Sequence, residues 1–199
     1  TQLAGAIDFA RTVGTQSSTW LYAVRLHPSA EAAKLIDPLP VEERARPGVR
    51  FARAHVAAHL ADHARAVKEL AGLEKELPLL QSEVIEARAA AELEVGPFES
   101  AAAHFGARTD APSLVKSALA HERANQPDRA RQTLERALLA ARREKKDSVR
   151  IPLEARARAI RARLAEKRGD KALATADLGW IATLAPATPQ AEDADVRLE

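Results

Sequence analysis

Cysteine and methionine are both absent from the 199 residues, and aromatic side chains make up only 4%. Without cysteine there can be no disulfide, no thiolate metal site and no cysteine nucleophile. That absence leaves the compartment open, since cytosolic and exported proteins alike can lack cysteine. A natural translation product needs an initiator, so a chain that starts at Thr1 and holds no methionine is expected to be a processed product or a fragment. β-Branched and aromatic residues, the usual strand formers, are sparse. No run approaches the ~18 apolar residues of a membrane span, and no stretch reads as a signal peptide. Charge of one sign is also missing: the formal net charge is +2, although the pI is about 9.1. Such a balance does not by itself imply a nucleic-acid partner.

Alanine is abundant instead. It supplies 45 of the residues. Alanine is the best helix former, and its small side chain lets helices approach closely. The length suits one ordinary domain or a short repeat array. The 29% of charged residues, set beside a regular apolar pattern, argues against disorder.

The first 46 residues form the least regular section. Leu3 to Val13 reads as a helix ended by Gly14. Ser17 or Ser18 can cap a second helix through Trp20, Leu21, Val24 and Leu26, and Ser29 a short third before Pro38 and Pro40. From residue 47 the chain becomes orderly. Spacing predicts helices over 48–61, 63–76, 79–95, 98–106, 113–125, 127–145, 152–168, 170–185 and 189–198. Pro97, Pro127 and Pro152 fall at helix starts, where a missing N–H costs little.

Self-similarity is the main signal. Four breaks share one pattern: Ala61-Asp62-His63, Gly96-Pro97-Phe98, Asn125-Gln126-Pro127 and Gly169-Asp170-Lys171. Seven residues before each lies an alanine: Ala54, Ala89, Ala118 and Ala162. Five residues after lies another: Ala66, Ala101, Ala130 and Ala174. Four further on is a large apolar residue: Leu70, Phe105, Leu134 and Leu178. Pro78 and Pro186 then follow at equal distance, and Pro112 within one residue of it. A helix ending at each break and a second folding back on it would place the alanines at the crossing and the large residue toward the next hairpin. No such hairpin buries its face alone, so several must stack.

On these residues the chain resembles tetratricopeptide repeats over about 48–188, best in the unit with Ala162, Gly169, Ala174, Leu178 and Pro186. The bulky aromatic consensus positions are mostly missing, and Ala66, Ala101, Ala130 and Ala174 are spaced by 35, 29 and 44 residues, only the first near the usual ~34. The Glu76-Leu77-Pro78, Arg168-Gly169-Asp170 and Ala185-Pro186 strings also resemble the helical superstructure that precedes the catalytic domain of soluble lytic murein transglycosylases. In that family the catalytic carboxylate is a Glu followed by Ser. Glu99-Ser100 occurs here, but without the glycine-rich segment that follows it there. At a helix start Glu99 suits the helix dipole, so no catalytic residue is assigned. This second resemblance implies a non-catalytic piece of a periplasmic enzyme.

His55, His59 and His63 recur every four residues, which puts adjacent pairs within reach of one ion. No H-E-x-x-H arrangement accompanies them, and the three span ~12 Å of helix axis, too far for a single ion unless the helix ends between them. A groove-lining or solvated stripe is the expectation, with no metal site. Residues 141–171 hold twelve Lys or Arg against five Asp or Glu. Arg156, Arg163 and Lys167 share one helical face; Arg158, Arg161 and Arg168 populate another. An anionic partner (nucleic acid, glycan or lipid headgroup) is the functional reading, and a solvated surface the ordinary one. Nucleic acid is disfavoured because no aromatics interleave for stacking. Phosphate-binding glycine loops and the G-x-S-x-G elbow are absent, so no cofactor is expected. Glu83, Glu86 and Glu94 read as solvent-facing charges, and Trp20, Tyr22 and Trp180 as packing residues.

The expected fold is all-α: an α-solenoid of antiparallel hairpins near 48–78, 79–112, 113–145 and 152–188, with a terminal helix near 189–198. The expected function is a non-catalytic scaffold that binds a protein partner or positions a neighbouring domain. The tetratricopeptide resemblance implies that the first helix of each hairpin lines the concave face. That nominates His55, His59, Glu86, Glu94, Glu122, Arg123, Arg156, Arg163, Glu166 and Lys167. The alternative is a peptidoglycan-associated accessory domain of a lytic transglycosylase, with glycan strands as partner and the periplasm as compartment.

Overall fold

The computed structural model describes residues 27–198, which are helical with no strand among them. The expected helices at Leu3–Val13 and around Trp20 and Tyr22 lie outside the described residues. The chain divides into two compact units at Gly96 and Pro97, one of the four breaks of the repeat pattern.

The first unit contains α1 (Ala30–Ile36), α2 (Val41–Arg44), α3 (Pro47–His59), α4 (His63–Leu70), α5 (Leu73–Glu76), a 3-10 turn at Pro78–Leu80, and α6 (Gln81–Val95). Ser29 caps α1 as its position predicts, its Oγ accepting from the Ala32 N–H at 3.1 Å. α1 packs on α3 through Ala32, Ile36, Val49, Ala52 and Val56. The opposite side of α3 contributes Phe51 and Ala54 to a cluster with Leu70, Leu73 and Val84 of the helices that follow.

The second unit contains α7 (Phe98–Gly106), α8 (Ala111–Arg123), α9 (Pro127–Ala141), α10 (Asp147–Lys167), α11 (Lys171–Leu184) and α12 (Pro189–Leu198). Each of these helices packs on the next in sequence. Beyond these neighbours, α8 touches α10 and α10 touches α12. Leu114, Ala118, Ala130, Leu134, Ile160 and Leu164 make the core between α8, α9 and α10. Ala162, Leu178, Ile181, Ala191 and Ala194 make the core between α10, α11 and α12. Leu134 is fully buried, and truncation of such a residue to alanine costs about 2–5 kcal/mol.

The twelve residues of the repeat pattern are all buried, none more than 4% exposed. At the breaks, Ala61, Asn125 and Gly169 adopt positive φ angles of 60°, 56° and 79°. The amide N–H of the residue after each (Asp62, Gln126 and Asp170) donates to the carbonyl five residues back at 2.8, 2.8 and 2.9 Å. This is the Schellman termination, which satisfies carbonyls that the helix end would otherwise orphan. Gly96 differs: its φ of 90° and ψ of 169° lie in a region that essentially only glycine enters.

Three expected helices change their limits by four residues or more, and the one expected over 127–145 ends at Ala141. The helix expected over 63–76 is interrupted after Leu70, because Gly72 takes φ 77° and starts α5 as a separate turn. The helix expected to start at Pro152 begins five residues earlier, at Asp147, and carries Pro152 inside it. Proline there removes only the hydrogen bond to the Ser148 carbonyl, which lies in the exposed first turn, so the helix runs on.

Candidate binding surface

The ten nominated residues divide between the units. In the first, His55 and His59 lie on α3, and Glu86 and Glu94 on α6. In the second, Glu122 and Arg123 end α8, while Arg156, Arg163, Glu166 and Lys167 lie on α10. His55 is half-buried and packs edge-on against Phe51, with ring centroids 4.7 Å apart, whereas His59 is exposed at the end of α3. His63 opens α4, so the histidine series is split across a helix break. Among the described residues, no group of three or more His, Asp or Glu could hold a metal ion.

Three nominated residues meet directly. Arg163 Nη2 donates to Glu122 Oε2 at 2.8 Å, and its Nε to Oε1 at 3.3 Å. Lys167 Nζ reaches the same Oε1 at 3.4 Å. The spacing of four on α10 stacks both cations over one carboxylate from α8. The Glu122 side chain is only 8% exposed, against 39% for Arg163 and 66% for Lys167. Burial by itself raises the Glu122 pKa, but the Arg163 hydrogen bond and the charges of Arg163 and Lys167 outweigh it and hold the carboxyl below its usual range. The two cations therefore cover a carboxylate and leave one net positive charge facing solvent.

The pattern continues toward α12. Arg197 Nη2 donates to Glu166 Oε2 at 2.7 Å, and its Nη1 to Asp193 on its own helix, also at 2.7 Å. Arg156 is exposed and makes no ion pair among the described residues. The face shared by α8, α10 and α12 is thus of mixed charge: Glu122 lies beneath its cations, whereas Glu166 and Asp193 are more exposed than the Arg197 they hold.

A second network runs along α10 and was not nominated from the sequence. Asp177 of α11 is 1% exposed. It accepts from Arg158 Nη1 at 2.8 Å and from Arg161 Nε and Nη2 at 2.7 Å each. The hydrogen bond to Asp177 raises the Arg161 pKa further. The Arg158 guanidinium also lies over the Trp180 ring, 4.4 Å from its centroid. Buried Glu154 binds Arg150 at 3.0 Å, and Arg150 in turn holds Asp147 at 2.7 Å. One signal in the sequence points to this network: Asp177 is the single carboxylate in α11 and is flanked by Ala176 and Leu178.

Six of the twelve cations in 141–171 are therefore engaged in ion pairs: Arg150, Arg158, Arg161, Arg163, Lys167 and Arg168. Half of these cations are thus ion-paired, with Lys167 and Arg168 still largely exposed. No known protein family, curated protein or solved structure matches this chain.

Proposed function

We propose that this chain is a non-catalytic, tetratricopeptide-like helical-repeat scaffold that binds a protein partner along the α8–α10–α12 face and so positions it. One observation carries the proposal. Glu122 holds Arg163 and Lys167 from a helix some forty residues away, so the first helices of successive hairpins present a joint, rigidly organised set of charges. The contacts of α8 with α10, and of α10 with α12, support a solenoid-like stacking within the second unit. The recurrence of buried alanines at each break supports it too. Charges fixed by ion pairs pay little ordering entropy on binding, which favours specific recognition over non-specific attraction.

The test is affinity capture with the wild-type chain beside an Arg156→Glu/Lys167→Glu variant. Both positions are exposed and Arg163 still pairs with Glu122 in the variant, and circular dichroism with a urea midpoint separates any loss of fold from a loss of binding. Selective loss of a captured protein by the variant is the expected result. Equal capture by both chains would remove this face from the function. Purified peptidoglycan is offered in parallel, and salt-resistant retention there would replace the protein partner by a glycan.

A further inference from the structure

The six cations of 141–171 outside ion pairs are not spread evenly. Arg142, Arg143, Lys145 and Lys146 are consecutive but for Glu144, all exposed, in the turn between α9 and α10. None of the four makes an ion pair among the described residues. The two carboxylates of that turn are already engaged: Glu144 Oε1 accepts from the Lys146 N–H at 3.1 Å, and Asp147 is bound by Arg150.

Large apolar side chains flank the same turn. Leu139 is 58% exposed and Val149 43% exposed. Leu139 stands one helical turn before Arg142 and Arg143. Val149, with Leu153, Ala140, Ala141, Ala111 and Pro112, walls a shallow groove of about 310 Å³. Arg143 lines the groove beside them. Two carboxylates also line it: Glu144 beside Arg143, and Asp110, which caps α8 by accepting from the Ser113 N–H at 2.9 Å.

We propose that this turn is a docking surface for an anionic phospholipid membrane, with the four cations set against the headgroups and Leu139 and Val149 entering the interface. Exposed leucine and valine beside lysine and arginine match the two attractions that hold a peripheral protein to such a surface. A nucleic-acid strand fits less well, because no Phe, Trp or Tyr occurs between Phe105 and Trp180 to stack on bases. The surface lies at the opposite end of α10 from Lys167, so it is independent of the partner-binding face proposed above.

Flotation of the full chain with vesicles tests this. Vesicles of phosphatidylcholine containing phosphatidylglycerol should bind it, increasingly so as salt is lowered, and pure phosphatidylcholine vesicles should not. Each surface cation contributes about fivefold to such partitioning, so Lys145→Glu/Lys146→Glu should weaken it by about twentyfold or more. Leu139→Ser/Val149→Ser should weaken it as well, which attraction by charge alone does not predict. Arg129→Glu/Lys171→Glu, of equal charge change at the other end of the helices, should leave it nearly unchanged. Absence of binding to anionic vesicles overturns the proposal. So does equal loss in the Arg129/Lys171 variant, or binding of duplex DNA in place of vesicles through the same four cations.

Discussion

Arg161 donates to both carboxylate oxygens of Asp177, through Nε to Oδ2 and Nη2 to Oδ1, each at 2.7 Å. The pair ties α10 to α11 at a point where Asp177 has almost no access to water. Removing one partner leaves buried charge uncompensated, a loss of about 3–5 kcal/mol in comparable sites. Asp177→Ala should lower the unfolding free energy by that amount in urea titration. Asp177→Asn, which retains one acceptor, should lose less. A loss below about 1 kcal/mol for Asp177→Ala would mean that the network is not a stabilising tie between these helices.

Acid should weaken the link between α8 and α10. The Glu122 carboxyl is held below its unfolded value of about 4.3. A carboxyl lowered in this way contributes stability that is fully present above its unfolded pKa and is lost as pH falls through the folded value. Glu122→Gln should therefore reduce stability at neutral pH and flatten the acid limb below about pH 4. Urea midpoints measured along that limb check this, and parallel limbs for the two proteins would contradict it.

Ala61 occupies a left-handed position that its Cβ disfavours by about 1–2 kcal/mol. Ala61→Gly should raise stability by roughly 1 kcal/mol, since glycine is at ease at this terminating position. Asn125→Gly should gain less, because asparagine tolerates the same conformation. Gly169→Ala should lose stability. Melting temperatures of the three variants, ranked in that order, are the readout.

Gly106 lies against Ser117. A Cβ on Gly106 would stand 2.9 Å from the Ser117 Oγ, and that hydroxyl is held by donating to the Ala102 carbonyl at 2.9 Å. Gly106→Ala should cost about 1–3 kcal/mol as an overpacking change. Adding Ser117→Ala should recover part of it. If the double variant is less stable than the sum of the two single changes, the clash is not the cause of the loss.

Much of the local structure was legible because it depends on short-range rules. The residue types Ala61, Gly96, Asn125 and Gly169, followed by Asp, Pro or Gln, mark where helices end, and all four take positive φ. Beside the Ala61, Asn125 and Gly169 breaks the alanines seven before and five after are buried because the two helices joined there pack on one another. Gly72 and Pro152 show where the same rules mislead. A lone glycine ended a helix that the apolar spacing continues, and a proline in the second turn of α10 was carried without ending it. Before Gly72 the Arg50 guanidinium donates to the Glu69 and Ala71 carbonyls, and before Pro152 the Ser148 carbonyl lies in an exposed turn; spacing encodes neither.

The amino-acid order alone determined that the described residues are helical, where the four repeat breaks fall and which small residues beside them face inward, because propensity, capping and periodicity act within a few residues. Tertiary structure decided the fate of the charges. Arg156, Arg158, Arg161 and Arg163 are alike in sequence, yet Arg156 is left exposed, Arg158 and Arg161 close on Asp177, and Arg163 covers Glu122. Those partners lie 16 to 41 positions away. Only the packing of α10 against α11 on one side and α8 on the other brings them within the few ångströms over which a partly buried ion pair forms.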